Sequence, residues 1–494
     1  MGSMQRSTSP LNLSNLVDRN AHFIDGEWVT STSDALDVIN PANGEIVGRV
    51  PNGGAVQAGK AIEAAYQAQR EWAAMTPAER AVYMHAWAAR IRDNAGELAR
   101  ILTSEQGKPL SESLEEAEGA ALFIEWYAEE GKRAYGETIP ALARNKRILV
   151  LPQPVGVTAL ITPWNYPGTM VARKGAPALA AGCTVVLKPA SQTPLTAVAL
   201  VALAQEAGFP AGVINLVTGK SSEIGEEFMT NAKVRKVSFT GSTEVGKLLI
   251  RSSAEQVKRL SLELGGNAPF IVFPDADLDA AVAAAVGNKF ENCGQMCNGI
   301  NVIYVHKDVA QKFSRKVTQR VASLKVGSGL EEDVQLGPVI DHRAVAFVDE
   351  LVQDAVQKGA KVEIGGGCLT ETPYQKGSFY APTVLTGVTT EMRIAQEEVF
   401  GPVAPIVTFS SEEEVLAMAN ATPFGLAAYV FTKDVRRVFE VSEQLEFGMV
   451  GVNSASLSVP QAPFGGIKQS GQGREGGHHG LEEFMEIKYI SLTL

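Results

Sequence analysis

The chain is poor in sulfur and short of positive charge. Four cysteines in 494 residues leave no disulfide framework and point to a reducing compartment, which predicts a cytoplasmic protein. A formal charge of −11 argues against a general nucleic-acid binder, which normally shows a basic patch. No run of about 18 apolar residues is present that could span a bilayer. The opening MGSMQRSTSPLNLSNL is polar and lacks the apolar centre of a signal peptide, and its MGS before Met4 reads as a cloning remnant. The six histidines, His22, His85, His306, His342, His478 and His479, form no ligand-spaced cluster. Cys293 and Cys297 supply two metal ligands at most, and Ile300 stands where an iron–sulfur loop would need a third cysteine. No metal is therefore expected. Internal repeats and low-complexity linkers are absent as well.

Apolar content of 45% and charged content of 20% describe an ordinary globular chain, and its length predicts two or more domains. The stretches HFIDGEWV and DVINPANGEIVGRVPNGG alternate β-prone runs with turn signals. From about Ala55 to Gly136 the pattern is helical. There Thr76-Pro77-Ala78-Glu79 reads as a capping box with proline at the first helical position, and Tyr83, Trp87 and Ile91 form one buried stripe. GVTALIT, CTVVLKP, GVINLVTG and VRKVSFTGS then alternate with helical segments, which predicts a parallel sheet covered on both faces. A second series, through APFIVFPDADLDAAVAAAVGNKF, VFGPVAPIVTF, AAYVFT and GMVGVN, predicts a second α/β unit. The β-prone end FMEIKYISLTL is expected to pair with another subunit or a distant hairpin.

Several residues could carry chemistry. Cys293 and Cys297 are each either a small buried hydrophobe or a nucleophile. FTGSTEVG follows a strand and opens a helix, so its amides could meet a phosphate. Glu263 in LELGGNAPF stands at a strand end, where it is either a solvated carboxylate or a general base. Asn165 in PWNYP is held between prolines, as a turn former or as an oxyanion donor.

PWNYP, KPASQTP, FTGSTEVG, LELGGNAPF, GQMC, EEVFGPV and APFGGIKQSG occur in this order along the chain. It thereby resembles the NAD(P)-dependent aldehyde dehydrogenases over almost its whole length. KPASQTP, GLAAYVFT and EIKYISL resemble the succinate-semialdehyde dehydrogenase branch most. The resemblance implies an α/β fold with a Rossmann-like dinucleotide-binding domain (20–138 and 158–262), an α/β catalytic domain (263–475) and a small β oligomerisation arm (139–157 and 476–494). It implies a homodimer or homotetramer. It also implies NAD(P)+-dependent oxidation of a small, semialdehyde-like aldehyde to its acid, through a cysteine thiohemiacetal and thioester. A non-catalytic binding protein of the same fold is the alternative of another class, though it would have no need of Cys297, Glu263, Asn165 and Lys188 together.

By the same resemblance Cys297 is the nucleophile, Asn165 the oxyanion amide and Glu263 the base that activates water. Pro163, Trp164, Lys188, Ser191, Gly225, Gly241, Ser242, Gly246, Leu264, Glu398 and Phe400 are implied for the cofactor. At Ser191 no carboxylate repels a 2′-phosphate, so NADP as well as NAD is expected. Arg173, Ser458 and Phe464 are implied for the substrate. Glu291 departs from the branch, which usually has an arginine there. Facing the pocket, it would disfavour an anionic substrate by on the order of 1–3 kcal/mol, roughly ten- to a hundredfold. Pairing with Arg173 instead, it would favour a neutral, hydroxylated or aromatic aldehyde. Turned to solvent, it would do neither. For Cys293, reversible oxidation with Cys297 stands beside simple packing.

Overall fold

The computed structural model describes residues 20–30 and 34–494; the polar opening and its MGS lie outside them. The first sheet has eight strands, five of them parallel and consecutive in space: Arg259–Glu263, Val234–Thr240, Val157–Ile161, Val185–Lys188 and Ile214–Leu216. Their β-branched and leucine runs are buried on both faces, as a sheet covered by helices requires. At one edge, the hairpin Ala21–Ile24 and Glu27–Thr30 adds an antiparallel pair. It turns on Asp25 and Gly26, both at positive φ (54° and 81°), the backbone that a two-residue hairpin loop demands.

Four helices, Ala55–Ala74, Pro77–Asp93, Ala95–Gln106 and Leu110–Glu130, occupy the stretch read as helical. The capping box forms: Thr76 Oγ1 accepts from Glu79 N at 3.3 Å, and the Glu79 carboxylate accepts from Thr76 N at 2.7 Å. Trp87 and Ile91 are buried, while Tyr83 is half-buried beside Phe209.

The second sheet has seven strands. Ala268–Val272 pairs in parallel with Ile300–His306 and Ala427–Phe431, and the sheet continues through Val403–Phe409 and Met449–Val452. Ile300–His306, Lys361–Ile364 and Thr383–Thr386 are strands that the sequence reading does not single out. The end of the chain, Met485–Thr493, pairs antiparallel along its whole length with Lys146–Pro154, which also holds Glu137–Ile139. Of the two partners expected for this segment, the structure supplies the distant hairpin. Among the described residues no helix is long and apolar enough to cross a membrane, and no group of three or more His, Cys, Asp or Glu could hold a metal ion.

Candidate active site

The turn 162–166 divides two cavities. One, of about 900 Å³, lies over the carboxyl ends of the parallel strands and is lined by Pro163, Trp164, Lys188, Ser191, Gly225, Gly241 and Ser242. The other, of about 770 Å³, is lined by Tyr166, Arg173, Glu291, Met296, Cys297, Ser458 and Phe464. Ligands of open α/β sheets bind at such strand ends.

The first cavity has the chemistry of a dinucleotide cradle. Thr162 and Thr240 follow or end strands at its wall, and each has a buried hydroxyl without a protein partner, which calls for a polar ligand. Ser242 caps the helix Thr243–Ser253, whose N-terminus faces the cavity with Gly241 and so favours a phosphate. Lys188 donates to Ser221 Oγ at 2.6 Å, and burial lowers its pKa to about 8. Gly246 and Leu264 line neither cavity; they pack on one another, and a Cβ at Gly246 would stand 2.6 Å from the leucine. Glu398 accepts from Gly266 N at 3.0 Å, and burial raises its carboxyl to about 7. Phe400, at φ 50°, meets Trp164 edge to face at 5.5 Å.

The cysteine pair divides because the backbone reverses between its members. After the helix Leu278–Phe290, Asn292, Cys293 and Gly294 all have positive φ (47°, 56° and 75°). Asn292 tolerates this because its polar groups are held: its N–H donates to Glu112 (2.9 Å), and its Nδ2 donates to the carbonyl of Asn165 (2.8 Å). Its Oδ1 accepts from Gln106 Nε2 (2.7 Å). A side chain at Gly294 would collide with the Gly401 carbonyl. Cys293 thus enters the core of the second sheet, where burial pushes its thiol pKa far up, and packing is the role its surroundings give it. Cys297 lines the substrate-sized cavity, its thiol pushed up to about 12 by burial, with Arg173 opposing.

Asn165 Nδ2 donates to the Gln295 carbonyl at 2.9 Å, which fixes the amide over the loop that carries Cys297. Glu263 is buried, and its Oε2 lacks a partner. Burial and the neighbouring Glu475 raise its carboxyl well above the usual range, against Lys174, Arg173 and Arg474. The sequence reading misses Lys174 and Glu475: Lys174 Nζ lies 2.6 Å from Glu475 Oε1 and 3.3 Å from Ser238 Oγ. It also misses Lys108, fully buried, whose Nζ donates to Glu116 at 2.7 Å and to the Asn165 carbonyl at 2.8 Å.

Arg173 and Glu291 share the cavity but do not pair with each other, which removes one of the readings of Glu291. Arg173 donates to Ser458 Oγ, lies 3.8 Å from Glu475 Oε2 and stacks over Phe464 at 4.1 Å. Glu291 is exposed and stands on the cavity wall, where its carboxylate accepts a hydrogen bond from the Tyr166 hydroxyl at 2.8 Å.

A sequence profile of the aldehyde dehydrogenase family matches residues 28–490. The chain is 52% identical over 471 residues to a 3-sulfolactaldehyde dehydrogenase of Pseudomonas putida, covering 95% of this chain and 96% of that one. It is 51% identical over 485 residues to an NADP(+) succinate-semialdehyde dehydrogenase of Escherichia coli (strain K12), covering 98% and 100%. A solved structure described as an Escherichia coli NADP-dependent enzyme superposes with a TM-score of 0.96 at 50% identity, over 98% of this chain and 100% of that one.

Proposed function

The chain belongs to the aldehyde dehydrogenase family, and from that premise we propose how its residues divide the NAD(P)-dependent oxidation of a small aldehyde, semialdehyde-like in size and polarity, to its acid. One observation carries the reading. A thiol, a buried carboxylate with an unpartnered oxygen and a fixed amide converge beside the turn that separates a dinucleotide-sized cavity from a smaller one.

Cys297 is the nucleophile. With a thiol near 12 it is not a resting thiolate, so its proton must leave as the sulfur–carbon bond forms, and Glu263 is the group able to take it. The carbonyl electron pair moves to oxygen, where the Asn165 amide and the Cys297 backbone N–H are the donors. Asn165 needs no reorganisation for this, since its own carbonyl is held by Lys108 and Asn292 and its amide by Gln295. A nicotinamide, when bound, would supply the acceptor for the hydride that leaves the substrate carbon, which leaves a thioester on Cys297. Glu263 then takes a proton from water, hydroxide adds to the thioester carbon, and the thiolate departs as the acid is released. Glu475 and Lys174 offer the proton on Glu263 a way out, because Glu475 Oε2 has no hydrogen-bond partner and Oε1 holds the lysine.

Lys188, Ser191 and Ser221 are assigned to the adenosine ribose, and Gly241 and Ser242 to the pyrophosphate. Gly225, Pro163 and Trp164 wall the cavity, and Glu398 and Phe400 take the nicotinamide side. With Ser191 in place of a carboxylate and a desolvated lysine in the same cavity, a 2′-phosphate gains a cation and meets no carboxylate at position 191. NADP is therefore accepted alongside NAD. Gly246 and Leu264 act by packing that helix start. We assign the three-stranded sheet to oligomerisation and the protein to the cytoplasm, the latter because its four cysteines are free.

The test is absorbance of reduced nicotinamide with NAD+ or NADP+ across succinate semialdehyde and aliphatic, hydroxylated and aromatic aldehydes. Turnover with at least one is expected. Silence across all of them would overturn the reading, and turnover without any nicotinamide would mark an esterase-like use of the same thiol.

A further inference from the structure

We infer that Glu291 is a specificity-determining residue, and that the cavity beside Cys297 prefers a small aldehyde ending in a hydroxyl over one of equal length ending in a carboxylate. The inference rests on the aldehyde-oxidising reading above and narrows it. The charged side chains of that cavity are Glu112, Glu115, Glu116, Arg173 and Glu291, four acids against one base. Glu116 is neutralised by Lys108 from outside the cavity, and Glu112 is held by the Asn292 amide. Arg173 is the sole cation of that lining: one terminal nitrogen donates to the Ser458 hydroxyl, the other lies 3.8 Å from Glu475 Oε2 without a hydrogen bond, and Nε is buried without a partner. Glu291 keeps one donor, the Tyr166 hydroxyl, and its second oxygen remains to accept another.

Donor and acceptor capacities then sort the candidate ligands. A carboxylate only accepts, so it satisfies Arg173 and leaves Glu291 facing a like charge. An ammonium only donates, so it satisfies Glu291 and faces Arg173. A neutral group that both donates and accepts serves both walls without burying a charge, and a hydroxyl is the smallest such group. The walls add further neutral polar groups, Ser454, Ser456 and Asn298, suited to hydroxyls rather than to charge.

The experiment compares kcat/KM for 4-hydroxybutanal and succinate semialdehyde, equal in chain length, in the wild type, Glu291→Arg and Glu291→Gln, each with saturating NADP+. The wild type is expected to favour 4-hydroxybutanal, and Glu291→Arg to move the ratio toward succinate semialdehyde by roughly ten- to a hundredfold, as a charge reversal at several ångströms predicts. Glu291→Gln should fall between them, and it keeps the test open where the arginine variant does not fold. A wild-type preference for succinate semialdehyde, or ratios that agree within the error in all folded variants, overturns the inference while leaving aldehyde oxidation intact. Inactivity on both aldehydes, with turnover of others, overturns it too. Silence with every aldehyde instead removes the reading beneath it.

Discussion

Two thiols four residues apart differ because three left-handed residues send one into a core and the other to a cavity. The difference is measurable. With its thiol at about 12, Cys297 holds a thiolate fraction on the order of 10⁻⁵ at pH 7. Iodoacetamide should therefore inactivate the unliganded protein slowly, with a rate that climbs about tenfold per pH unit between pH 7 and 9. A fast, pH-independent inactivation would show that the resting thiol is already ionised. Glu263 sets a second expectation. Its carboxyl titrates above the usual range, and its base form grows as pH rises, so the thioester-hydrolysis rate should still be increasing at pH values above the usual carboxylate range. Glu263→Gln should slow both the burst of reduced cofactor and the steady state, the latter by on the order of 10²-fold; a variant at full rate contradicts the assigned role. Cys297, Glu263 and Asn165 are readable because each lies inside a short contiguous motif. Lys174 and Glu475 are not, because their bond joins residues 301 positions apart, and neither stands in a motif that announces it.

At the scale of elements, two helix starts are capped from afar. The helix Pro167–Ala181 has no side-chain cap of its own. Its first amides, Gly168 N and Thr169 N, donate to Glu116 Oε1 at 2.8 and 3.1 Å, while Glu116 Oε2 holds Lys108. Glu105 does the same for Leu195–Glu206, accepting from Leu195 N and Thr196 N at 2.7 and 2.8 Å. Contrast the Thr76–Glu79 box, whose partners are three residues apart and legible at sight. Propensity says nothing of Glu105 or Glu116, which look like solvated helix residues until the fold buries them. Lys108→Met leaves the Glu116 charge buried without its cation, and should cost about 3–5 kcal/mol of stability, read as a lowered urea midpoint. It should also slow the burst phase, since the Asn165 carbonyl loses one of its two donors. An unchanged midpoint would mean that the pair contributes nothing to holding this turn.

For the whole molecule, the parallel sheets announce themselves through alternating β-branched and helical runs, whereas the edges of the fold do not. Met485–Thr493 finds its partner, Lys146–Pro154, more than 300 residues upstream. Pairing satisfies its backbone yet leaves its side chains in water: Ile487 is 71% exposed, Tyr489 62% and Leu492 45%. The neighbouring strands add Leu151 and Ile139, also exposed. A three-stranded ribbon has little core to stabilise it alone, and Ile487, Tyr489 and Ile139 stand exposed on one of its faces with Leu492 and Leu151 on the other, which suits it to an interaction surface. Closed homo-oligomers are the common way to cover such a surface, so the proposed oligomerisation role predicts a dimer or tetramer whose contact includes this ribbon. Light scattering after gel filtration should give a mass of two or four chains. Ile487→Lys combined with Tyr489→Lys places two ammonium groups on one face of the ribbon and should shift the mass downward at low micromolar protein, while the monomer fold keeps its circular dichroism. A wild-type monomer at tens of micromolar, or a double variant with the wild-type mass, would remove the ribbon from the assembly.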